Sequence, residues 1–155
     1  MNINKKEDFS FVHKDHKCIA YLTYDGIVFD GCAICHPKDR DFESKRTGEK
    51  IASMRTLEKV YAYLIKKCDI EINTLKMLKN AYLQSGFEKD DYIFKSINKQ
   101  LQKKNDLKSA CIQEKKQLKF SIYITIGQKD TLYKNIRQSR RDNRSNPYAK
   151  GNKKE

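Results

Sequence analysis

Two cysteines and a histidine stand close together in the segment Cys32-Ala33-Ile34-Cys35-His36. The spacing C-x-x-C-H is the one at which c-type haem is attached to proteins. Thiolates and imidazoles are also the usual ligands of zinc, and Cys18, His13 and His16 lie nearby in the sequence. A thiol beside an imidazole is, in addition, the pair that a catalytic cysteine needs.

The strands predicted around this segment argue against those chemistries. Alternating apolar residues predict a strand over 17–24 and a returning strand over 27–35, joined by Asp25-Gly26, which suits a type I′ turn. Pro37 cannot donate to a strand ladder and marks the end of the second strand. A haem attachment motif lies on a helix and is used outside the cytosol, and the sequence shows no export signal.

A zinc site in this segment conflicts with strand geometry. Residues three apart in an extended strand point to opposite faces, and the Cα atoms of Cys32 and Cys35 would be roughly 10 Å apart. Both thiolates would reach one ion only through a tight knuckle, which Ala33 and Ile34 do not favour. The sequence therefore favours cysteines that pack as small apolar side chains. A zinc site formed by Cys18, Cys32, Cys35 and His36 remains the alternative.

Apolar residues at spacings of three and four predict three helices after the hairpin. The first runs from Gly48 to about Cys68, and the second runs from Glu71 to Gln84 and stops at Gly86. The third begins near Asp90 and Asp91, whose charges suit a helix N-terminus. Its inward residues are Ile93, Phe94, Ile97 and Leu101.

The segment 119–126 admits two interpretations. Phe120, Ile122, Ile124 and Ile126 alternate with polar residues and Tyr123, which is typical of a strand. The residues Leu118, Ile122, Ile126, Leu132, Tyr133 and Ile136 fit a helix instead. The strict alternation and the β-branched side chains favour a third strand.

These elements predict an α+β fold, in which an antiparallel hairpin of two or three strands packs against about three helices. Residues 1–136 form one domain, with a hairpin-helix module over 17–68 and a basic part over 69–136. Residues 137–155 form a basic tail that is disordered without a partner. The sequence lacks a signal peptide and an apolar run long enough for a membrane helix, so we expect a cytoplasmic protein with reduced cysteines.

Positive charge is concentrated in the second half of the chain. The net charge is +13, yet residues 1–94 carry 16 basic and 15 acidic side chains. The basic residues that we predict to contact a polyanion are Lys95, Lys99, Lys103, Lys104, Lys108, Lys115, Lys116, Lys119, Arg137, Arg140, Arg141, Arg144 and Lys150, with Tyr148 among them. Arginine binds phosphates through two parallel hydrogen bonds and stacks on bases, so nucleic acid is the preferred partner, ahead of a membrane.

The end of the hairpin resembles a pattern found in small proteins of phages and prophages of Gram-positive bacteria. The matching residues are Gly31, Ala33, Cys35-His36-Pro37, Asp39 and Asp41, followed by Gly48, Ile51-Ala52 and Arg55. The resemblance covers about residues 17–60, and such proteins often have an aliphatic residue where Cys32 stands. It implies an accessory role in the conflict between phage and host, in which anti-CRISPR proteins are one class.

Composition and resemblance together predict a non-enzymatic phage protein that acts in the infected bacterial host and needs no cofactor. It would bind RNA or DNA, or a nucleoprotein, and its most concrete form is an inhibitor of a host CRISPR-Cas nuclease. A phage regulator that binds DNA or RNA is the first alternative, and a zinc-stabilised interaction module is the second.

Overall fold

A three-stranded sheet and two long helices make up the fold in the computed structural model, which describes residues 8–37, 40, 44–89 and 91–145. The strands are β1 (Ser10–Lys14), β2 (Lys17–Tyr24) and β3 (Ile27–Ile34), in the antiparallel order β1-β2-β3. The helices are α1 (Lys45–Gln84) and α2 (Tyr92–Ser145). The fold is therefore α+β, as the sequence predicts.

Both hairpins close through two residues in the left-handed backbone region. Asp25 and Gly26 have φ angles of 55° and 73°, which confirms the predicted turn between β2 and β3. Asp15 and His16, with φ angles of 50° and 62°, join β1 to β2 in the same way. An Asp-His pair is a much weaker turn signal than Asp-Gly, so the sequence did not reveal β1.

Helix α1 replaces the two helices predicted over 48–68 and 71–84. Its N-terminus is capped by Ser44, whose hydroxyl accepts a hydrogen bond from the amide of Thr47 at 3.2 Å. It ends at Gln84, and Gly86 follows with a φ of 87°, which confirms the predicted stop. The chain between Cys68 and Glu71 contains no glycine or proline that would end a helix. The row of buried residues therefore continues from Cys68 to Ile72 along one helix.

Helix α2 replaces both the predicted third helix and the predicted strand over 119–126. It lies antiparallel to α1, as shown by the cross-helix ion pairs Lys104–Glu71, Lys108–Asp69 and Lys119–Glu58. The α2 residues on this seam are Phe94, Ile97, Leu101, Lys104, Lys108, Cys111, Lys115, Leu118, Ile122 and Thr125, all buried or half-buried. Their unbroken spacing of three and four is that of a coiled coil, and it continues through the segment predicted as a strand.

The sheet packs on the N-terminal half of α1, and its closest approach is at Gly31. A Cβ at Gly31 would lie inside van der Waals contact with the carbonyl of Ala52 and with the amide and hydroxyl of Thr56. The Thr56 hydroxyl is fully buried and lies 3.1 Å from the carbonyl of Ala20 and 2.9 Å from that of Ala52. Small residues therefore allow strand and helix backbones to meet.

Several residues of the sequence pattern between Gly31 and Arg55 lie at or beside this contact. Ala33, Ile51 and Ala52 are buried between the sheet and α1, and Arg55 donates a hydrogen bond to the carbonyl of Cys32. In a two-residue hairpin, the carbonyl of Cys32 points to the edge of β3 that faces away from β2. Arg55 therefore satisfies an acceptor that none of the three described strands reaches. Asp39 and Asp41 lie outside the described residues.

Candidate nucleic-acid interface

The basic residues of α2 divide between two sides of the helix. Lys104, Lys108 and Lys119 reach across to acidic residues of α1, with N–O distances of 2.5, 2.5 and 3.6 Å. Lys115 is half-buried on the same seam. Lys104, Lys108 and Lys119 therefore contribute to the pairing of the helices, and their charges are partly balanced within the fold.

A second set of basic residues lies on the side of α2 that faces away from α1, which we call the outer face. Its members are exposed, apart from a half-buried Arg137, and comprise Lys95, Lys99, Lys103, Lys116, Lys134, Arg137 and Arg141. From Lys95 to Arg141 the helix rises by roughly 70 Å. Asp106 and Asp130 are the acidic residues on this face among the side chains described, and Asp106 accepts a hydrogen bond from Gln102 at 2.8 Å.

The predicted basic tail begins inside the helix. Arg137, Arg140 and Arg141 lie on the last turns of α2, where Arg140 is exposed. The backbone of Arg144 also belongs to α2, while Tyr148 and Lys150 fall outside the described residues. The arginines thus extend the helix that carries the lysines, and a regular backbone sets the direction in which both groups project.

Three large apolar side chains interrupt the outer face, and they are absent from the binding residues predicted from the sequence. Phe120 is 64% exposed, Tyr123 is 76% exposed and Ile124 is 38% exposed. The strand interpretation placed Phe120 and Ile122 on one side; in the helix Ile122 turns inward beside Leu118 and Phe120 turns outward. The spacing of 120, 123 and 124 is the helical signal that identifies them.

The cysteine-histidine segment does not form a common site. Cys18 and Cys35 line a cavity of about 40 Å³ together with His13 and His16. Cys32 lies on the opposite face of β3, and His36 lines a separate groove of about 290 Å³ with Arg55. In the part of the chain that the structure describes, no three His, Cys, Asp or Glu side chains are placed to hold a metal ion.

Three of the buried cysteines, Cys18, Cys68 and Cys111, favour the protonated thiol. Burial is the main cause that raises the pKa of Cys18, Cys68 and Cys111, and nearby acidic groups add to it. A thiolate, and not a thiol, is the nucleophile in cysteine chemistry. These three residues therefore act as packing residues: Cys111 joins the core with Leu57 and Leu64.

Comparison with known proteins gives no relative: no family model matches the chain, and no curated protein or solved structure is significantly similar to it. Within the described ranges, neither helix combines the length and apolar character needed to cross a bilayer.

Proposed function

We propose that this protein binds nucleic acid along the outer face of α2. The observation that carries the proposal is the row of exposed lysines and arginines that the helix presents over roughly 70 Å, away from the acidic residues of α1. A polyanion neutralised by such a row releases its counterions, which gives sequence-independent affinity. Much of the net charge of +13 is concentrated in this helix.

The helix itself provides a matched pair of variants for the test. The outer-face variant changes Lys95, Lys99 and Lys103 to glutamine, and the seam variant changes Lys104, Lys108 and Lys119 to glutamine. Both lose three positive charges, so they share a net charge. Affinity for labelled RNA and DNA is measured by fluorescence anisotropy at several salt concentrations, and stability is measured by urea unfolding.

We expect the outer-face variant to bind more weakly and to keep its stability. Its plot of log affinity against log salt should become shallower by about 2 to 3, since each lost phosphate contact removes about 0.7 to 0.9 from the slope. The seam variant should lose stability and retain more of its affinity. Equal losses of affinity in the two variants would contradict the assignment of the outer face.

The most concrete form of this function is inhibition of a host CRISPR-Cas nuclease during phage infection, in which the outer face would bind the guide RNA or the target DNA. The resemblance of the hairpin-helix segment to small phage proteins supports it. The test is DNA cleavage by Cas nucleases with the purified protein present. If the protein binds nucleic acid and inhibits none of them, a phage regulator that binds DNA or RNA is the better assignment.

A further inference from the structure

The exposed apolar residues Phe120, Tyr123 and Ile124, which we call the aromatic patch, belong to neither of the hydrophobic clusters formed by the described residues. Phe120 and Tyr123 are 64% and 76% exposed, and they lie three residues apart, on one side of one helical turn. Gly127 follows on the next turn, and nothing lies within 4 Å of the position its Cβ would take. Both rings are therefore accessible to a ligand from solvent.

The charges around the patch are positive. Lys116 precedes Phe120 by one turn and is exposed, and Lys119 is 63% exposed although it lies 3.6 Å from Glu58. The nearest acidic residue along the outer face is Asp130, about two turns beyond Tyr123. Two copies of the chain meeting through this patch would bring like charges together, whereas a polyanion would be attracted to it.

We propose that the aromatic patch stacks the unpaired bases of a single-stranded nucleic acid whose phosphates lie along the basic residues of the outer face. Aromatic rings beside a basic groove are the common means of binding single strands, because every base offers a flat face to a ring. The inference rests on the proposed function and narrows its ligand from nucleic acid in general to single strands. Paired bases in a duplex keep their faces stacked on each other and are closed to the patch.

The test replaces both rings by an aliphatic side chain, in the variant Phe120→Leu with Tyr123→Leu. Leucine preserves apolar character and helix propensity but removes the flat ring. The probes are fluorescein-labelled polyuridylate and polythymidylate of about 20 nucleotides, enough to span the roughly 70 Å face, and a duplex of equal length. The control variant changes Ile70 and Met77 to alanine, since both are exposed on α1.

We expect the leucine variant to lose affinity for both single strands by about tenfold for each ring, and to bind the duplex as the unmodified protein does. Its salt dependence should be unchanged because no charge has been removed. The control variant should bind all three probes normally. Thermal unfolding should be unchanged in the leucine variant, since both replaced rings are exposed.

The possible failures are distinguishable. If the unmodified protein binds neither single strands nor duplex, the proposed function itself is wrong. If it binds them and the leucine variant binds equally well, only the stacking inference is overturned. Sedimentation velocity tests the remaining outcome. If the unmodified protein is a dimer, the leucine variant is a monomer and single-strand binding is unaffected, then the patch is a contact between two copies and the inference is overturned.

Discussion

Gly31 shows how one residue sets the distance between the sheet and α1. It is a strand residue with an ordinary backbone, so its lack of a side chain is needed for space and not for conformation. Its neighbours are the backbone of Ala52 and the buried Thr56, which are held in a helix and cannot move aside. Gly31 also belongs to the sequence pattern from Gly31 to Arg55, and we interpret the part of that pattern around Gly31 and Ala52 as a packing motif.

Replacing Gly31 by alanine should destabilise the protein by about 1 to 3 kcal/mol, because the added methyl group forces strand and helix apart. The control is Gly127→Ala, at a helical position with open space, where the better helix propensity of alanine should stabilise the protein by up to about 1 kcal/mol. Urea unfolding followed by circular dichroism measures both changes. A Gly31→Ala protein as stable as the unmodified one would show that β3 and α1 have room for a methyl group at this contact.

At the scale of single residues, the sequence predicted the turn at Asp25-Gly26 and the stop at Gly86 because both positions need a left-handed backbone that glycine adopts readily. The sequence could not predict that Arg55 donates a hydrogen bond to the carbonyl of Cys32. That contact requires the open edge of β3 to lie beside Arg55, and the position of this edge relative to α1 is set only when the sheet packs on the helix.

At the scale of elements, the segment 119–126 shows where local pattern fails. Its alternation and β-branched residues favour a strand, but intrinsic strand preferences span only about 1 kcal/mol and yield to tertiary context. Here the context is the seam of spacings three and four that runs from Phe94 through Ile122 against α1. The alternation is visible in a short stretch of sequence, whereas the seam is visible only over a stretch several times longer.

Strand β1 (Ser10–Lys14) was missed for a different reason. It is short, and the Asp15-His16 turn that joins it to β2 is a weak turn signal.

The tip of the β2–β3 hairpin docks on α1 through Asp25. Its carboxylate accepts hydrogen bonds from Lys67 at 2.7 Å and Tyr63 at 2.8 Å. The hydrogen bond from Lys67 is the largest cause that lowers the pKa of Asp25, and the one from Tyr63 adds to it. Since this pKa is lower in the folded state, the ionised pair stabilises the fold above the ordinary Asp value of 3.8, and the contribution is lost as pH falls through the folded value.

Asp25→Asn should therefore lower stability at neutral pH and become equivalent to the unmodified protein in acid. Asparagine is also favoured before glycine in this turn, so the change removes the charge and leaves the turn intact. Urea midpoints from pH 7 down to about pH 2 measure how the difference between the two proteins shrinks as Asp25 is protonated. With Lys67→Gln in both backgrounds, most of the pH dependence of that difference should disappear. A difference that stays constant with pH would indicate a change in the turn instead.

At the scale of the whole molecule, the fold separates a core from a long helical extension. Among the described residues, Ile122 is the last residue of α2 that packs on the two hydrophobic clusters, and the groove beside β3 reaches Asp130. The cross-helix pairs Lys119–Glu58 and Lys104–Glu71 set the register of the two antiparallel helices: as residue numbers rise along α2, the residues opposite them on α1 fall by about the same amount. By that register the start of α1 lies level with about residue 131, so the arginine-bearing turns of α2 continue past it.

Ending the chain after Tyr133 should therefore leave the core stable and weaken nucleic-acid binding. The deletion removes Arg137, Arg140, Arg141 and Arg144 together with Tyr148 and Lys150, and none of the residues described in either hydrophobic cluster. A full-length variant with the four arginines changed to lysine separates the effect of charge from that of side-chain shape. Compared with the deletion, it should recover most of the salt-dependent affinity. It should still bind more weakly than the unmodified protein, because lysine cannot make the paired hydrogen bonds of arginine to phosphate. Urea unfolding and anisotropy titrations at two salt concentrations measure both effects. Intact binding and inhibition after the deletion would restrict the interface to the outer face before residue 133.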